Sequence, residues 1–429
     1  MSAPKTPLGL RYLASQNKLA PNCARPPRLP ARLTETGIVL GWSLEDSHPE
    51  PVPYGFSYGP RPRPANPEDW DPILQRGEGH LMTIAPTGAG KGVSAVIPKL
   101  LRYEGQAVVI DPKSENYLVT ASARKAMGQR IILLDPFDVC GSGNSDRLGP
   151  LDLMRPDLAP AVRGRSPGAK REVGSDYVGD LARQISHALV PHLPDLRDPV
   201  WENAARRMVS ALLTYILENT PSNIMANLAE LVFLLSQSLK DIILTTRDMA
   251  LSKHTFVKAA ADGAFPSEAK ARANVVSTAL NAIEFLQGRA LEVTQGSNFH
   301  LNDFLNGRPM TIHMVPPPDK LPSQRRLLRL WTTTLLSTLS LRRRRPHIPT
   351  LFLMGDASQL GRMDEFLSAV TLMRGYGVNV WSFWQDLSQI STLYPTEWKT
   401  IHNNTHTRAS AFLAVECRFA QGRHEHHRS

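Results

Sequence analysis

The sequence predicts an α/β protein: a parallel sheet that carries a phosphate-binding loop, with an all-helical segment inserted between its two halves. Three observations carry that prediction. Residues 80–111 read as strand, glycine-containing loop, amphipathic helix and strand. A second strand–helix–strand step follows at once, so that two successive strands run into Asp-Pro, at Asp111-Pro112 and Asp135-Pro136. Between about 156 and 290 the periodic stretches are helical, and strand signals resume only at Arg308–Val315. Parallel strands need crossover connections, and alternating β and α signals supply them.

In chain order, residues 1–36 are rich in Pro, Arg and Ala without periodicity and read as an extended arm. Gly37–Trp42 reads as an edge strand, and Pro49–Pro72, with its repeated prolines, as loop. The apolar run Leu81–Ile84 then leads into Ala85-Pro-Thr-Gly-Ala-Gly-Lys-Gly92. This keeps the Walker A spacing with two substitutions: Ala85 stands where the first Gly is usual, and Gly92 where Ser or Thr is usual. Glycines let backbone N–H groups turn toward a phosphate, the following helix presents its positive end, and Lys91 reaches the outer phosphates. The Ser/Thr hydroxyl that Gly92 lacks normally ligates Mg²⁺. Behind the loop, Val93, Val96, Ile97 and Leu100 have helical spacing, with Pro98 expected to kink or shorten the helix. Leu118–Met127 reads as the next helix and Gln129–Asp135 as the next strand. Lys91, Asp111 and Asp135 are all expected near the carboxyl edge of the sheet, where ligands of such sheets sit.

From about Pro156 the pattern changes. Arg163–Gly174 reads as loop, and Ser175–Leu189, Trp201–Leu217, Ser222–Ser236 and Ala269–Leu286 as helices whose apolar stripes are expected to pack a core. The sheet resumes at Arg308–Val315. Leu327–Leu341 reads as a helix running into Arg342–Arg345, where cations suit a helix C-terminus; that block reads either as a solvated helix end or as a contact for nucleic acid or acidic lipid. Thr350–Met354 and Gly377–Trp384 are the next strands, with a helix containing Phe366–Met373 between them, and Thr407–Val415 is strand-like. A phosphate loop needs a partner acid that acts on Mg²⁺ or on the attacking water. Asp356, after Leu351-Phe-Leu-Met-Gly355, is the candidate for that acid. Gln385, ending the strand that follows, is placed to sense a γ-phosphate. His424-Glu-His-His427 reads as a solvated histidine cluster at a chain end, not a metal site.

The chain has 429 residues, enough for two or three domains. Net charge is +10 and the pI about 9.6, which favours phosphate-bearing partners. Cys23, Cys140 and Cys417 are far apart, which excludes a disulfide framework or a zinc site and points to a reducing compartment. No apolar run reaches the roughly 18 residues of a membrane span, and the N-terminus lacks a signal-peptide core. The expected organisation is an arm with an edge strand (1–75), a first part of the nucleotide-binding domain (76–155), an all-α insertion (156–295), the second part (296–415) and a polar tail (416–429).

Several segments together resemble one family: His80–Gly92 with Gly92 in the hydroxyl position, Asp111-Pro-Lys-Ser-Glu115, Leu134-Asp-Pro-Phe137, Pro150-Leu-Asp152, Gln359-Leu-Gly361, and Gly375-Tyr-Gly377 through Gln385. From about Thr36 to about Arg408 the chain is similar to the TraG-like coupling proteins of type IV secretion and conjugative DNA transfer. The resemblance implies a RecA-like P-loop core with an inserted all-α domain, ATP and Mg²⁺ as cofactors, and a homo-hexamer at the cytoplasmic face of the bacterial inner membrane. It implies as partners a relaxase–DNA complex or protein effectors, components of the secretion channel, and DNA itself. The resemblance implies nucleotide contact at Gly88, Gly90, Lys91 and Gly92; the full expected set adds Thr87, Ala89, Val93 and Asp111 as cofactor contacts, with Asp356 and Gln385 catalytic and Asp356 the metal residue. Aligning on Gln359-Leu-Gly361 sets Gly355 at the family's Walker B Asp and Asp356 at its adjacent Glu. The two membrane helices common at the family's N-terminus have no counterpart here, and the family's sheet continues beyond Thr407–Val415, so a truncated or degenerate copy is expected. Two functions stay open: an ATP-binding coupling protein, an ATPase with an atypical Walker B, or an adaptor that binds cargo or channel components without turnover. A P-loop NTPase of unrelated role is a third reading.

Overall fold

A computed structural model describes residues 38–43, 71–75, 79–87, 89, 91–154, 158, 175–190, 200–220, 226–263 and 268–410. The chain divides into two compact units, residues 1–77 and 78–429. In the first, β1 (Ile38–Ser43) pairs antiparallel with β2 (Asp71–Gln75), with a register shift between Val39 and Gly41. The predicted loop therefore ends earlier than Pro72, which sits in β2 opposite Trp42. Both strands of a two-stranded ribbon are edges, so the missing N–H of a proline is tolerated.

The second unit is built on seven parallel strands: β3 (His80–Ile84), β4 (Ala107–Ile110), β5 (Arg130–Leu134), β6 (Met310–Met314), β7 (Thr350–Met354), β8 (Val378–Trp384) and β9 (Thr405–Ser410). Their spatial order is β5-β6-β4-β7-β8-β3-β9. Every residue of β4, β6, β7 and β8 is buried. Covering on both faces is why β4 and β7 read as nearly continuous apolar runs, and why Thr311 and His313 of β6 and Asn379 and Ser382 of β8 are buried as well. The α/β class with its parallel sheet is the predicted one.

The two Asp-Pro steps fold alike. Asp111 Oδ1 accepts from Asn116 Nδ2 (3.0 Å) and Oδ2 from the Tyr117 N–H (2.9 Å), while Asp135 accepts from the N–H groups of Val139 and Cys140 (2.9 and 2.8 Å). Three residues after each Asp the chain enters the left-handed region without a glycine, at Ser114 (φ 57°) and Asp138 (φ 56°). The carboxylate bonds hold a conformation that costs a side-chain-bearing residue roughly 1–2 kcal/mol.

Behind the phosphate loop, Gly92–Val96 is π-helical and continues as the short helix α1 (Ile97–Leu100). The Ile97 N–H bonds to Gly92 O, five residues back. Pro98 has no N–H to offer Ser94, so the ladder widens by one residue there, and the helix ends before Arg102. Helix α2 (Glu115–Ala126) crosses to β5.

Between β5 and β6 the described residues form helices alone: α3 (Ser175–Leu189), α4 (Val200–Asn219), α5 (Leu228–Leu235), α6 (Leu239–Ala250), α7 (Thr255–Gly263), α8 (Ala269–Ile283), α9 (Gly288–Glu292) and α10 (Leu301–Leu305), besides a short 3₁₀ turn at Pro150–Met154. The helix predicted from Ser222 starts instead at Leu228. Asn227 is extended there, and its Oδ1 accepts the N–H groups of Ala229 and Glu230, which ends the helix on that side. Residues 163–174 lie outside the described residues.

Helix α11 (Leu321–Ser340) follows β6 and joins the two layers, burying Leu327, Leu328, Leu330, Trp331, Leu335 and Leu339 and bonding Ser337 Oγ to Gln184 of α3 (2.9 Å). It starts six residues before the predicted Leu327, because Pro322 falls in the first turn, where a proline needs no donor. Three further helices, α12 (Asp364–Leu372), α13 (Leu387–Leu393) and α14 (Trp398–Asn404), complete the described chain.

Candidate nucleotide site

Because all seven strands are parallel, the residues that follow their carboxyl ends share one edge. The order β7-β8-β3 puts Gln385, at the end of β8, between the loop after β3 and Asp356 after β7. In-register pairing aligns these ends: Ile84 lies opposite Trp384, and Met354 opposite Ser382. Strand β3 is pinned in that place by three bonds. The Val380 N–H donates to His80 Nδ1 (3.1 Å), Trp381 Nε1 to Thr83 Oγ1 (2.9 Å), and the Ala85 N–H to Trp384 O (2.9 Å).

Within the loop, Lys91 folds back so that Nζ donates to the carbonyl of Ala85 (3.0 Å). The ammonium thus spans the mouth of the turn, holding its first and last residues together. Thr87 and Ala89 are exposed there. Gly88 and Gly90 lie outside the described residues, and the Val93 backbone belongs to the π-helical turn. No described atom stands within 4 Å of where a Cβ on Gly92 would be, so crowding does not enforce the absence of a hydroxyl at that position.

Asp356 follows β7 and opens the 3₁₀ turn Ala357–Leu360, half-buried. Among the described residues its carboxylate makes no hydrogen bond or ion pair. Gln385 is half-buried too; its N–H donates to Gln389 Oε1 (2.9 Å), and its side-chain amide has no partner among the described residues. A Cβ added at Gly355 would stand 3.2 Å from the carbonyl oxygen of Ile110 on the neighbouring β4. The close packing of two strands is the local reason this position is easily held by glycine.

Asp111 reaches the same edge but is only 2% exposed, with both oxygens bonded to Asn116 and Tyr117. Burial pushes its carboxyl up to about 6 against those two bonds, which favour the charged form. Its geometry fits a residue that shapes the edge rather than one that reaches out of it.

The arginine block lies at the opposite, amino edge. Arg342 is buried: Nε donates to Leu305 O (2.9 Å), and Nη2 to Gln106 Oε1 (2.7 Å) and Thr350 Oγ1 (2.8 Å), tying together the starts of β4 and β7. Arg343, Arg344 and Arg345 are exposed, and Arg345 Nη2 donates to Arg374 O (2.7 Å). The exposure of these three is compatible with either reading of the block. Arg342 is a buried clamp, a role helical periodicity could not reveal because its partners are 8 to 236 residues away.

A parallel sheet with a phosphate loop after β3, an acid after β7 and an amide between them defines a P-loop nucleotide-binding fold. The family described as Type IV secretory system Conjugative DNA transfer matches residues 65–416, and the chain belongs to that family. The chain is 22% identical over 343 residues to conjugal transfer protein TraG of Escherichia coli, covering 75% of this chain and 50% of TraG. It is 23% identical over 322 residues to the type IV secretion system-coupling protein VirD4 of Bartonella quintana, covering 74% and 48%. The chain therefore spans about half the length of the curated relatives it matches. Among solved structures, the plasmid coupling protein TrwB in complex with ADP and Mg²⁺ superposes with a TM-score of 0.56 at 17% identity, covering 77% of this chain and 69% of TrwB. The shared fold is the RecA-like P-loop core with its inserted helices.

Proposed function

We propose that this chain binds a nucleoside triphosphate with Mg²⁺ in the turn after β3 and serves as a nucleotide-dependent coupling protein, delivering DNA or a nucleoprotein substrate to a type IV secretion channel. The observation that carries the reading is the alignment of the Lys91 loop, Gln385 and Asp356 on the ends of three neighbouring strands. In this reading Lys91 exchanges the Ala85 carbonyl for the β- and γ-phosphate oxygens, and the loop amides cradle the phosphates. Gln385 turns its free amide to the γ-phosphate.

For Mg²⁺ the donor set is thin but compatible: Asp356 has an unengaged, half-buried carboxylate, and the space beside Gly92 is open. Asp356 would hold the ion through its water shell. When bound, Mg²⁺ supplies charge neutralisation at the phosphates. By the family likeness the competent form is a homo-hexamer at the cytoplasmic face of the bacterial inner membrane, with a relaxase–DNA complex or protein effectors as cargo. Among the described residues no helix is long and apolar enough to cross a membrane.

Isothermal titration of ATP·Mg²⁺ into Lys91→Ala should show affinity lower by ~10–100-fold, the size of one or two lost charge-assisted hydrogen bonds. Unchanged affinity sinks the assignment. A second reading, nucleotide binding without turnover, is favoured by Gly355, which leaves one acid where hydrolases of this class use two. Steady-state phosphate release with and without single-stranded DNA separates the readings: turnover lost in Asp356→Asn excludes the adaptor.

A further inference from the structure

A second cleft of about 740 Å³ opens on the same edge, away from β3, between the first two turns of α11, the end of α8, the Gly361–Arg362 step after β7 and the last turn of α13. It is within the size range of small-ligand sites. Four arginines line it, Arg325, Arg326, Arg329 and Arg362, against one carboxylate among the described lining residues, Glu284. Phe137, half-buried, supplies an aromatic wall with Lys320 Nζ 4.6 Å over its ring, while Phe285 lines the cleft from the core and is 7% exposed.

The arginines are not equivalent. Arg362 is held by a bidentate pair with Glu397 (2.8 and 3.1 Å). Arg326 Nη1 donates to the carbonyls of Asn281 and Ala282 at the end of α8 (2.7 and 3.0 Å) and sits beside Glu284. Arg325 is exposed and among the described residues bonds only Pro322 O of its own helix (3.2 Å). Arg329 has no hydrogen bond or ion pair among the described residues, and its Nε is buried without an acceptor. Gln324 Oε1, also lining the cleft, is buried without a donor. Glu365 and Asp364 on α12 act on Arg329 through space without pairing with it. Nε has no accessible surface, so the Nη groups of Arg329, which make no bond among the described residues, are the donors an anion seated in the cleft would engage. An arginine set beside aromatic faces is the arrangement that takes a phosphate together with a stacked base.

We propose that this cleft is a second phosphate site, distinct from the turn after β3, that accepts one nucleotide unit. The phosphate sits against Arg329 and Arg325, and the base lies toward Phe137. The unit comes either from a single nucleic-acid strand or from a free nucleotide.

The test uses the full chain carrying Lys91→Ala, so that the turn after β3 does not contribute. Fluorescence anisotropy is read with a labelled oligothymidylate in one arm and a fluorescent ADP in the other. Binding in either arm that weakens ~10-fold or more on Arg329→Gln, is partly restored by Arg329→Lys, and shows a shallower salt dependence on Arg325→Gln supports the site and identifies the source. Should Arg329→Gln fail to fold, Arg325→Gln, on the exposed rim, reads the same contact. Binding in neither arm, or binding indifferent to Arg329 and Arg325, overturns the proposal. Because nucleotide affinity at Lys91 is measured separately, failure here leaves the first site standing, and failure there leaves this one.

Discussion

Lys91 and Lys99 stand at either end of the same short helical step and take opposite roles. Lys91, half-buried, bonds its own loop and is free to exchange that bond for phosphate. Lys99, 2% exposed, has its ammonium over the Tyr103 ring at 4.2 Å, and burial, aided by Arg124, lowers its pKa to about 7. The unfolded chain therefore binds the proton more tightly than the folded one, and the stability difference contributed by Lys99 rises as pH climbs from about 7 to about 10.5. Replacing Lys99 with Met should stabilise the chain near pH 7 by a few kcal/mol, on the order of the solvation cost relieved, and the gain should shrink toward pH 10. Urea titrations of both proteins at the two pH values check the sign. Gly355 gives a second prediction at this scale. The 3.2 Å approach to Ile110 O needs β4 to give by only a few tenths of an ångström, so Gly355→Asp should fold. If a missing acid limits turnover, phosphate release should rise at least ~10-fold. An unchanged rate in a folded variant would place the limit elsewhere.

At the scale of elements, buried arginines on the sheet's amino edge do what apolar contacts alone do not. Arg124 of α2 donates Nε to Thr311 Oγ1 (2.8 Å), Nη2 to Gly105 O (2.8 Å), and Nη1 to the carbonyls of Leu100 and Tyr103. One side chain thus ties α2 to β6 and to the turn that leads into β4. Arg124→Met keeps most of the volume but strips those carbonyls of a charged donor, and should lower the unfolding free energy by about 3 kcal/mol or more. An unchanged denaturant midpoint would show that water replaces the guanidinium at little cost. Strands and long helices with a clean period were legible: Ser175–Leu189 and Thr350–Met354 have the bounds their patterns predict. Leu239–Ala250 and Thr255–Gly263 are amphipathic but short, at 12 and 9 residues, so a 3.6-residue period repeats only about two or three times in each and leaves little local pattern.

For the whole molecule, a ligand held only by the native state raises stability by RT ln(1 + [L]/Kd), about 2.7 kcal/mol at a hundredfold excess over Kd. ATP·Mg²⁺ should therefore raise the thermal midpoint of the wild-type chain, and Lys91→Ala should cut that gain to about 0.4–1.4 kcal/mol. A rise that survives undiminished in Lys91→Ala but not in Arg329→Gln would transfer the dominant nucleotide site to the second cleft. The sequence by itself determined the phosphate loop, the parallel α/β class, the helical insertion and the family, because each is written in local order: glycine spacing, residue period and strand-end acids lie within a few positions of one another. Only the tertiary structure decided which strands stand side by side, that Asp111 is bonded into its own turn, that Arg342 is a buried clamp, and that Arg325, Arg329 and Phe137 share one cleft. Those facts depend on contacts between residues tens to hundreds of positions apart, set by how the layers pack, and no local pattern carries them.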